Sequence, residues 1–354
     1  MPRVVRAPIL LLILAACAIG CARETQRPVV IVHVDGLDGR AVAERATIFI
    51  DGRRATELQQ FAPAVSEFSL ALPVESTGHL RVDLSALDKG GAVIARGRAS
   101  ALIDGIGARD VTLRLDAGLA DRVLVADTFG DGDPETTGDG VGGGWTEITW
   151  SPELRPMPGG VSASESGGLL RLGGTGVQNT LQGRDALDPT GTTLRASIDT
   201  RPAGAAPDTG KNGFAVGWTM PDEVPCCAPA GVNFDLSDDR VAFEIRHISN
   251  WEPSARYVEA KAGAKDPDET FDPAAAVRDI EVSFTLGLTS WSLDATGPGL
   301  SIHRYGPYPE GQTLADAVAK AGGSMRPFIS VGRMQAVGTF KSVTITGPPP
   351  GYAP

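Results

Sequence analysis

The sequence predicts an all-β protein in which a small β-sandwich precedes a larger antiparallel β jelly roll, both behind an N-terminal export segment. Three observations predict it. Short runs of β-type residues recur along the chain, divided by Asp-Gly turn signals and by loops rich in glycine and proline. The clearest of these runs alternate apolar and polar residues with period two, as in Arg81-Val82-Asp83-Leu84 and Val111-Thr112-Leu113-Arg114-Leu115. The 354 residues hold 44 Gly and 26 Pro yet are only 21% charged, which is rich in loops and too apolar for disorder. Lys plus Arg of 32 against Asp plus Glu of 43 gives a net charge of −11. With no cluster of basic residues, that balance argues against a nucleic-acid partner and against an anionic membrane surface.

The first element is the address. Arg3 and Arg6 precede an unbroken apolar stretch from Ala7 to Ala16. Ten such residues rise roughly 15 Å as a helix, about half a hydrocarbon core, so the stretch reads as a cleaved signal rather than a permanent span. Leu14-Ala15-Ala16-Cys17 resembles the lipobox of bacterial lipoproteins, whose cysteine takes a diacylglyceryl group and becomes the mature N-terminus. Ala18-Ile19-Gly20-Cys21 is a poorer second copy, so Cys17 is the expected lipidation site and Cys21 the alternative. The resemblance implies a lipid bilayer as partner through an acyl anchor. The location implied is a bacterial cell envelope, facing the periplasm or the exterior. Residues 1–27 then comprise the signal and a short polar tether.

The small sandwich is expected over residues 28–118. Strand-like runs lie at Val29–Val34, Ala46–Ile50, Glu67–Leu72, His79–Leu84, Ala92–Ile103 and Val111–Leu115. This pattern resembles the immunoglobulin- and fibronectin-like modules that follow the anchor in bacterial surface lipoproteins, without their tryptophan or cysteine pair.

From 121 to 348 all five tryptophans appear and around a dozen further strands can be read, which suits a two-sheet jelly roll; residues 349–354 are a tail. One helix is expected at Thr313–Ala321, capped by Thr313 and closed by Gly322-Gly323. The run Ala126-Asp127-Thr128-Phe129-Gly130-Asp131 opens the segment. Gly167-Gly168-Leu169-Leu170, Gly213-Phe214-Ala215-Val216-Gly217-Trp218, the Val282–Leu286 and Trp291–Gly297 pair and the closing Gly338–Ile345 run follow. Their order resembles the concanavalin A-like (laminin G-like) lectin and glucanase superfamily. That resemblance implies two curved sheets with a carbohydrate-binding face.

Glucanases of this kind place two carboxylates on one strand, because alternate residues share a face and retaining hydrolysis needs carboxyls about 5–5.5 Å apart. No glutamate here has an acidic residue two positions on, so a non-catalytic binder is expected. The alternatives are a divergent hydrolase or lyase on the same fold, or a structural module that binds protein. Period two puts Glu244, Arg246 and Asp294 opposite the apolar faces of their strands. Trp251, Tyr305 and Tyr308 are expected in nearby loops, where their rings could stack on a sugar; a glycan or an envelope partner is the expected ligand. Asp127, Asp131 and Asp133 form an oxygen-rich turn that suits either a structural calcium or plain solvent. The four histidines lack metal-ligand spacing. Cys226-Cys227 allows either a vicinal disulfide or two buried thiols.

Palmitate labelling of the mature protein is expected to vanish in Cys17→Ala; full labelling of that variant would move the anchor to Cys21.

Overall fold

The computed structural model describes residues 27–349 and Tyr352, except 52, 55–58, 62, 73–76, 90, 105–106, 151–155, 158–160, 175–177, 204–212, 221–230, 247–254, 262–264, 267–268, 289, 309–312 and 333–335. Eight strands come first: β1 (Val29–Asp35), β2 (Ala43–Ile50), β3 (Arg53–Arg54), β4 (Gln59–Phe61), β5 (Glu67–Ala71), β6 (Gly78–Leu87), β7 (Val93–Ile103) and β8 (Ala108–Arg114). One sheet runs β5-β1-β8; the other runs β3-β2-β6-β7, with β4 beside β2. β1 is antiparallel to β5 and parallel to β8. Alternation decides what each strand buries: Val30, Val32, Phe68, Leu70, Val111 and Leu113 of one sheet meet Ala46, Ile48, Leu80, Val82, Leu84 and Ala99 of the other in one core. At Gly97 the two sheets approach so closely that a Cβ would lie 2.5 Å from the Arg114 carbonyl oxygen.

A 3₁₀ turn at Ala117–Leu119 leads into the second sandwich. Its strands are β9 (Arg122–Asp127), β10 (Trp145–Trp150), β11 (Pro156–Met157), β12 (Val161–Ser166), β13 (Leu169–Gly174), β14 (Gln178–Gly183), β15 (Thr192–Thr200), β16 (Gly213–Thr219) and β17 (Gly231–Ser237). They continue as β18 (Arg240–Arg246), β19 (Ala255–Lys261), β20 (Lys265–Asp266), β21 (Glu269–Phe271), β22 (Arg278–Leu286), β23 (Ser290–Gly297), β24 (Leu300–Pro307), β25 (Arg326–Gly332) and β26 (Val337–Gly347). An eight-stranded sheet runs β11-β10-β14-β25-β16-β17-β18-β19. A ten-stranded sheet runs β12-β13-β26-β15-β22-β23-β24-β21-β20, with β9 beside β26, so the opening and closing strands of the jelly roll pair with each other. Among the described residues every strand pairing of the second sandwich is antiparallel, as the sequence predicts.

Aromatic residues weld the two large sheets. Phe243 of the eight-stranded sheet meets Phe284 and Trp291 of the ten-stranded sheet at ring-centroid distances of 5.3 and 5.2 Å, and Phe214 meets Phe340 edge to face at 6.2 Å. Helix α1 (Leu314–Lys320) covers one end of this core with Leu314 and Ala317. It begins as predicted. The Thr313 hydroxyl accepts from the Asp316 N–H at 3.2 Å, and the Asp316 carboxylate accepts from the Thr313 N–H at 2.9 Å, a complete capping box. Gly322 and Gly323, at φ 75° and 96°, end it.

The sandwiches meet sheet face to sheet face. Arg45, Thr47 and Phe49 on the outer face of β2 lie against Thr193, Thr285 and Trp291 of the ten-stranded sheet around a void of about 110 Å³. The linker is fastened to β7: Arg96 Nη1 donates to the Leu119 carbonyl at 2.7 Å, Arg96 pairs with Asp121, and both side chains are buried. Desolvation raises the Asp121 pKa, against the pull of Arg96. Tyr352 in the tail sets its ring 5.1 Å from the Arg96 guanidinium.

Asp121→Ala would leave the Arg96 charge buried and uncompensated. A loss of about 3–5 kcal/mol in urea unfolding of the full chain is expected.

Candidate functional site

The contact between the sandwiches opens at one end into a cleft of about 710 Å³, inside the range of small-ligand sites. The ten-stranded sheet supplies one wall. β22, β23 and β24 turn Val282, Phe284, Leu293, Ala295 and Ile302 into the core. Their alternate residues Ser283, Thr285, Ser292, Asp294, His303 and Tyr305 therefore line the cleft. Asp294 and His303 are register partners on neighbouring strands, which brings His303 Nδ1 to 2.8 Å from Asp294 Oδ1. Tyr305, 60% exposed, presents a ring at the mouth. The first sandwich supplies the opposite wall through Arg45, Asp88 and Lys89. Arg45 Nη2 donates to Ser292 Oγ at 3.3 Å across the boundary. Hydroxyls, an imidazole–carboxylate pair, cations and an exposed aromatic ring make a surface suited to a polar, ring-shaped ligand.

The sequence-predicted site residues do not converge. Asp294 and Tyr305 stand together in the cleft. Glu244 lies in β18 of the other large sheet, with its neighbours Phe243 and Ile245 in the same core, so its side chain points out of the opposite side of the sandwich. There it is 1% exposed and in register with Asn233. Arg246 ends the same strand. Tyr305 lies within β24 rather than in a loop, whereas Tyr308, just past the end of that strand, is in a loop as expected but is 8% exposed and packed against the core. Trp251, the Cys226-Cys227 pair, Cys17 and Cys21 lie outside the described residues. Period two identifies which residues share a face, but both large sheets carry the same period. Arg45 was missed for a related reason: it alternates with the buried Ala46 and Ile48, and a strand read as part of a spacer gave no cause to ask what its polar face meets.

Asp127 is fully buried and committed to protein donors, accepting from the Phe129 N–H and from Trp145 Nε1, each at 2.8 Å. Asp131 accepts from the Asp133 N–H at 3.1 Å and from the Thr136 hydroxyl, and Asp133 accepts from the Glu135 N–H at 3.0 Å. Glu165 of β12 adds a fourth carboxyl. Burial, the Asp131 carboxylate and the Asp127 charge push its pKa up to about 8, so it holds a proton at neutral pH. Among the described residues no three His, Cys, Asp or Glu side chains are grouped to hold a metal ion. The carboxylates of this turn are met by backbone N–H groups, a hydroxyl and an indole N–H.

No family profile matches the chain, and no curated protein sequence does. Solved structures similar to it include the exoplasmic/lumenal domain of VIP36 in its Ca²⁺/mannose-bound form, at 9% identity over 66% of this chain and 100% of that one, with a TM-score of 0.40. The metal-free carbohydrate recognition domain of Emp46p matches at 10% identity, covering 63% and 94%, with a TM-score of 0.40. A lectin from Bauhinia forficata in complex with GalNAc matches at 11% identity, covering 57% and 97%, with a TM-score of 0.35. At these values the likeness is one of general strand layout, and the fold description rests on the sheet order given above.

Glu165 has a folded pKa above its ordinary 4.5, so its contribution to stability is present below about pH 4.5 and is lost as pH rises through about 8. Asp131, whose pKa is lowered by its hydrogen bond to Thr136, acts below its ordinary 3.8 and leaves that window untouched. The melting temperature is expected to fall between about pH 5 and pH 9, and Glu165→Gln is expected to flatten that fall.

Proposed function

We propose that the protein is a lipid-anchored component of a bacterial cell envelope that binds a glycan without cleaving it, in the cleft between its two sandwiches. The observation that carries this reading is the exposed Tyr305 ring beside the Asp294–His303 pair in a cleft of about 710 Å³. A pyranose ring offers an apolar C–H face and a rim of hydroxyls. Tyr305 can stack on the first, while Asp294, His303 and the Ser283, Thr285 and Ser292 hydroxyls can bond the second. Of the residues the sequence nominated, this keeps Asp294 and Tyr305 as ligand contacts and leaves Glu244 and Tyr308 without a part in the cleft.

In this reading the first sandwich, an immunoglobulin-like module, is one wall of the site as well as a spacer from the anchor at Cys17. The acyl chain supplies the attachment, since a net charge of −11 gives no attraction to an anionic leaflet. The absence of acidic residues at alternate positions after any glutamate supports binding over retaining hydrolysis. A calcium ion is not needed to shape the cleft.

On a glycan array the full chain is expected to retain particular glycans without releasing reducing ends from them. Tyr305→Ala is expected to weaken that retention about tenfold, the effect of removing one stacked ring. Unchanged retention in Tyr305→Ala would place the site elsewhere. Released reducing ends would make the protein a hydrolase, and capture of a protein with no glycan bound would make it an adhesive module.

A further inference from the structure

Among the described residues, Arg45 is a desolvated cation of the cleft with no ion-pair partner. Its guanidinium leaves β2 toward the second sandwich, where Nη2 donates to Ser292 Oγ at 3.3 Å. Nε is shut away from solvent with no acceptor, and among the described residues no carboxylate comes within ion-pair distance of Arg45. Burial accordingly pulls its pKa down, against the distant charges of Asp294 and Asp121. Nearby guanidinium groups have carboxylate partners: Arg96 with Asp121, Arg98 with Asp83, and Arg304 with Glu269. A half-buried guanidinium facing a cavity of ligand size, with Lys89 at the same rim, is an anion site that the fold leaves open.

Resting on the glycan reading above, we propose that the ligand is an oligosaccharide bearing one carboxylated, uronic-type sugar, whose carboxylate pairs with Arg45 while a neighbouring ring stacks on Tyr305. One carboxylate is specified rather than a polyanion for two reasons. The chain carries −11, which repels a densely charged polymer, and Asp88 and Asp294 in the same cleft repel any second negative group near Arg45. A planar carboxylate matches the guanidinium fork and supplies the counter-charge that Arg45 lacks among the described residues.

The test is calorimetric titration of the full chain with an aldobiouronic acid, a glucuronic acid linked to a neutral sugar, and with the same disaccharide after reduction of its carboxyl to the alcohol. The acid is expected to bind at least about tenfold more tightly than its reduced form. Arg45→Gln should erase that difference and Arg45→Lys should keep part of it, with the melting temperature of each variant reporting its fold. If Arg45→Gln unfolds, the two ligands on the unaltered protein still decide the matter. Equal binding of acid and alcohol, both weakened by Tyr305→Ala, would overturn the Arg45 assignment and leave the glycan cleft standing. No binding of either form, together with an empty glycan array, would overturn both.

Discussion

The relation of the two sandwiches rests on one buried cation. Arg96 projects from β7 into the junction, where its two Nη atoms are taken by the Leu119 carbonyl and the Asp121 carboxylate. Its backbone is stitched to Asp116 in both directions, and the Asp121 N–H donates to the Val93 carbonyl at 3.0 Å. The linker between the sandwiches is thus tied to the first one at Asp116, Leu119 and Asp121. The far end of the second sandwich returns to the same place, because Tyr352 covers the guanidinium with its ring. A buried ion pair is weak evidence for stability, since desolvation offsets most of its Coulombic gain, but breaking it strands a charge. That asymmetry makes the pair a device for fixing geometry, and the cleft exists only while the geometry is fixed.

Two polar sheet faces in this molecule have different fates. The outer face of the ten-stranded sheet is partly covered by the first sandwich and partly open, which produces the cleft. The outer face of the eight-stranded sheet carries Thr180, Gln182, Asn233, Glu244 and Ser330, all nearly or wholly buried. There Thr180 Oγ1 donates to Ser330 Oγ at 3.0 Å, and Ser330 passes the bond on to the Asn179 carbonyl. Hydroxyls that satisfy one another in this way stabilise the strand order β14-β25-β16 from outside the apolar core. Exposure, rather than polarity, separates the two faces: Tyr305 is reachable and Glu244 is not.

Much of the strand layout was legible in the residues because burial on one side forces alternation. Val30, Val32 and Val34 in β1, or Val282, Phe284 and Leu286 in β22, announce both the strand and its inner face. The Thr313 cap and the Gly322-Gly323 stop were equally plain, since a capping box and positive-φ glycines act locally. The site was half legible. Asp294 and Tyr305 could be marked as polar-face and loop-like residues, but which sheet Glu244 joined is a long-range fact that no local period carries. Tyr308 stands in a loop as read, but a loop position does not tell that its ring is buried against the core, and Tyr305, read as a loop residue, belongs to β24. Asp127 shows what an acidic turn does not reveal by its spacing, that one of its carboxylates is buried and accepts from a tryptophan.

Arg45 connects these strands of reasoning. A guanidinium could have been replaced at little structural cost, for the Ser292 contact at 3.3 Å is long and Nε forms no bond at all. A residue that is desolvated without being matched destabilises the fold that holds it, and stabilising replacements are easy to find at such positions. Groups kept in that condition cluster where a ligand completes them. The same half-covered contact that leaves Arg45 without an ion-pair partner among the described residues also leaves Tyr305 exposed and Asp294 hydrogen-bonded to His303 at the cleft, so the three residues are made available by one arrangement. The binding surface is then a product of how two ordinary sandwiches are fastened together, and neither sandwich would possess it alone.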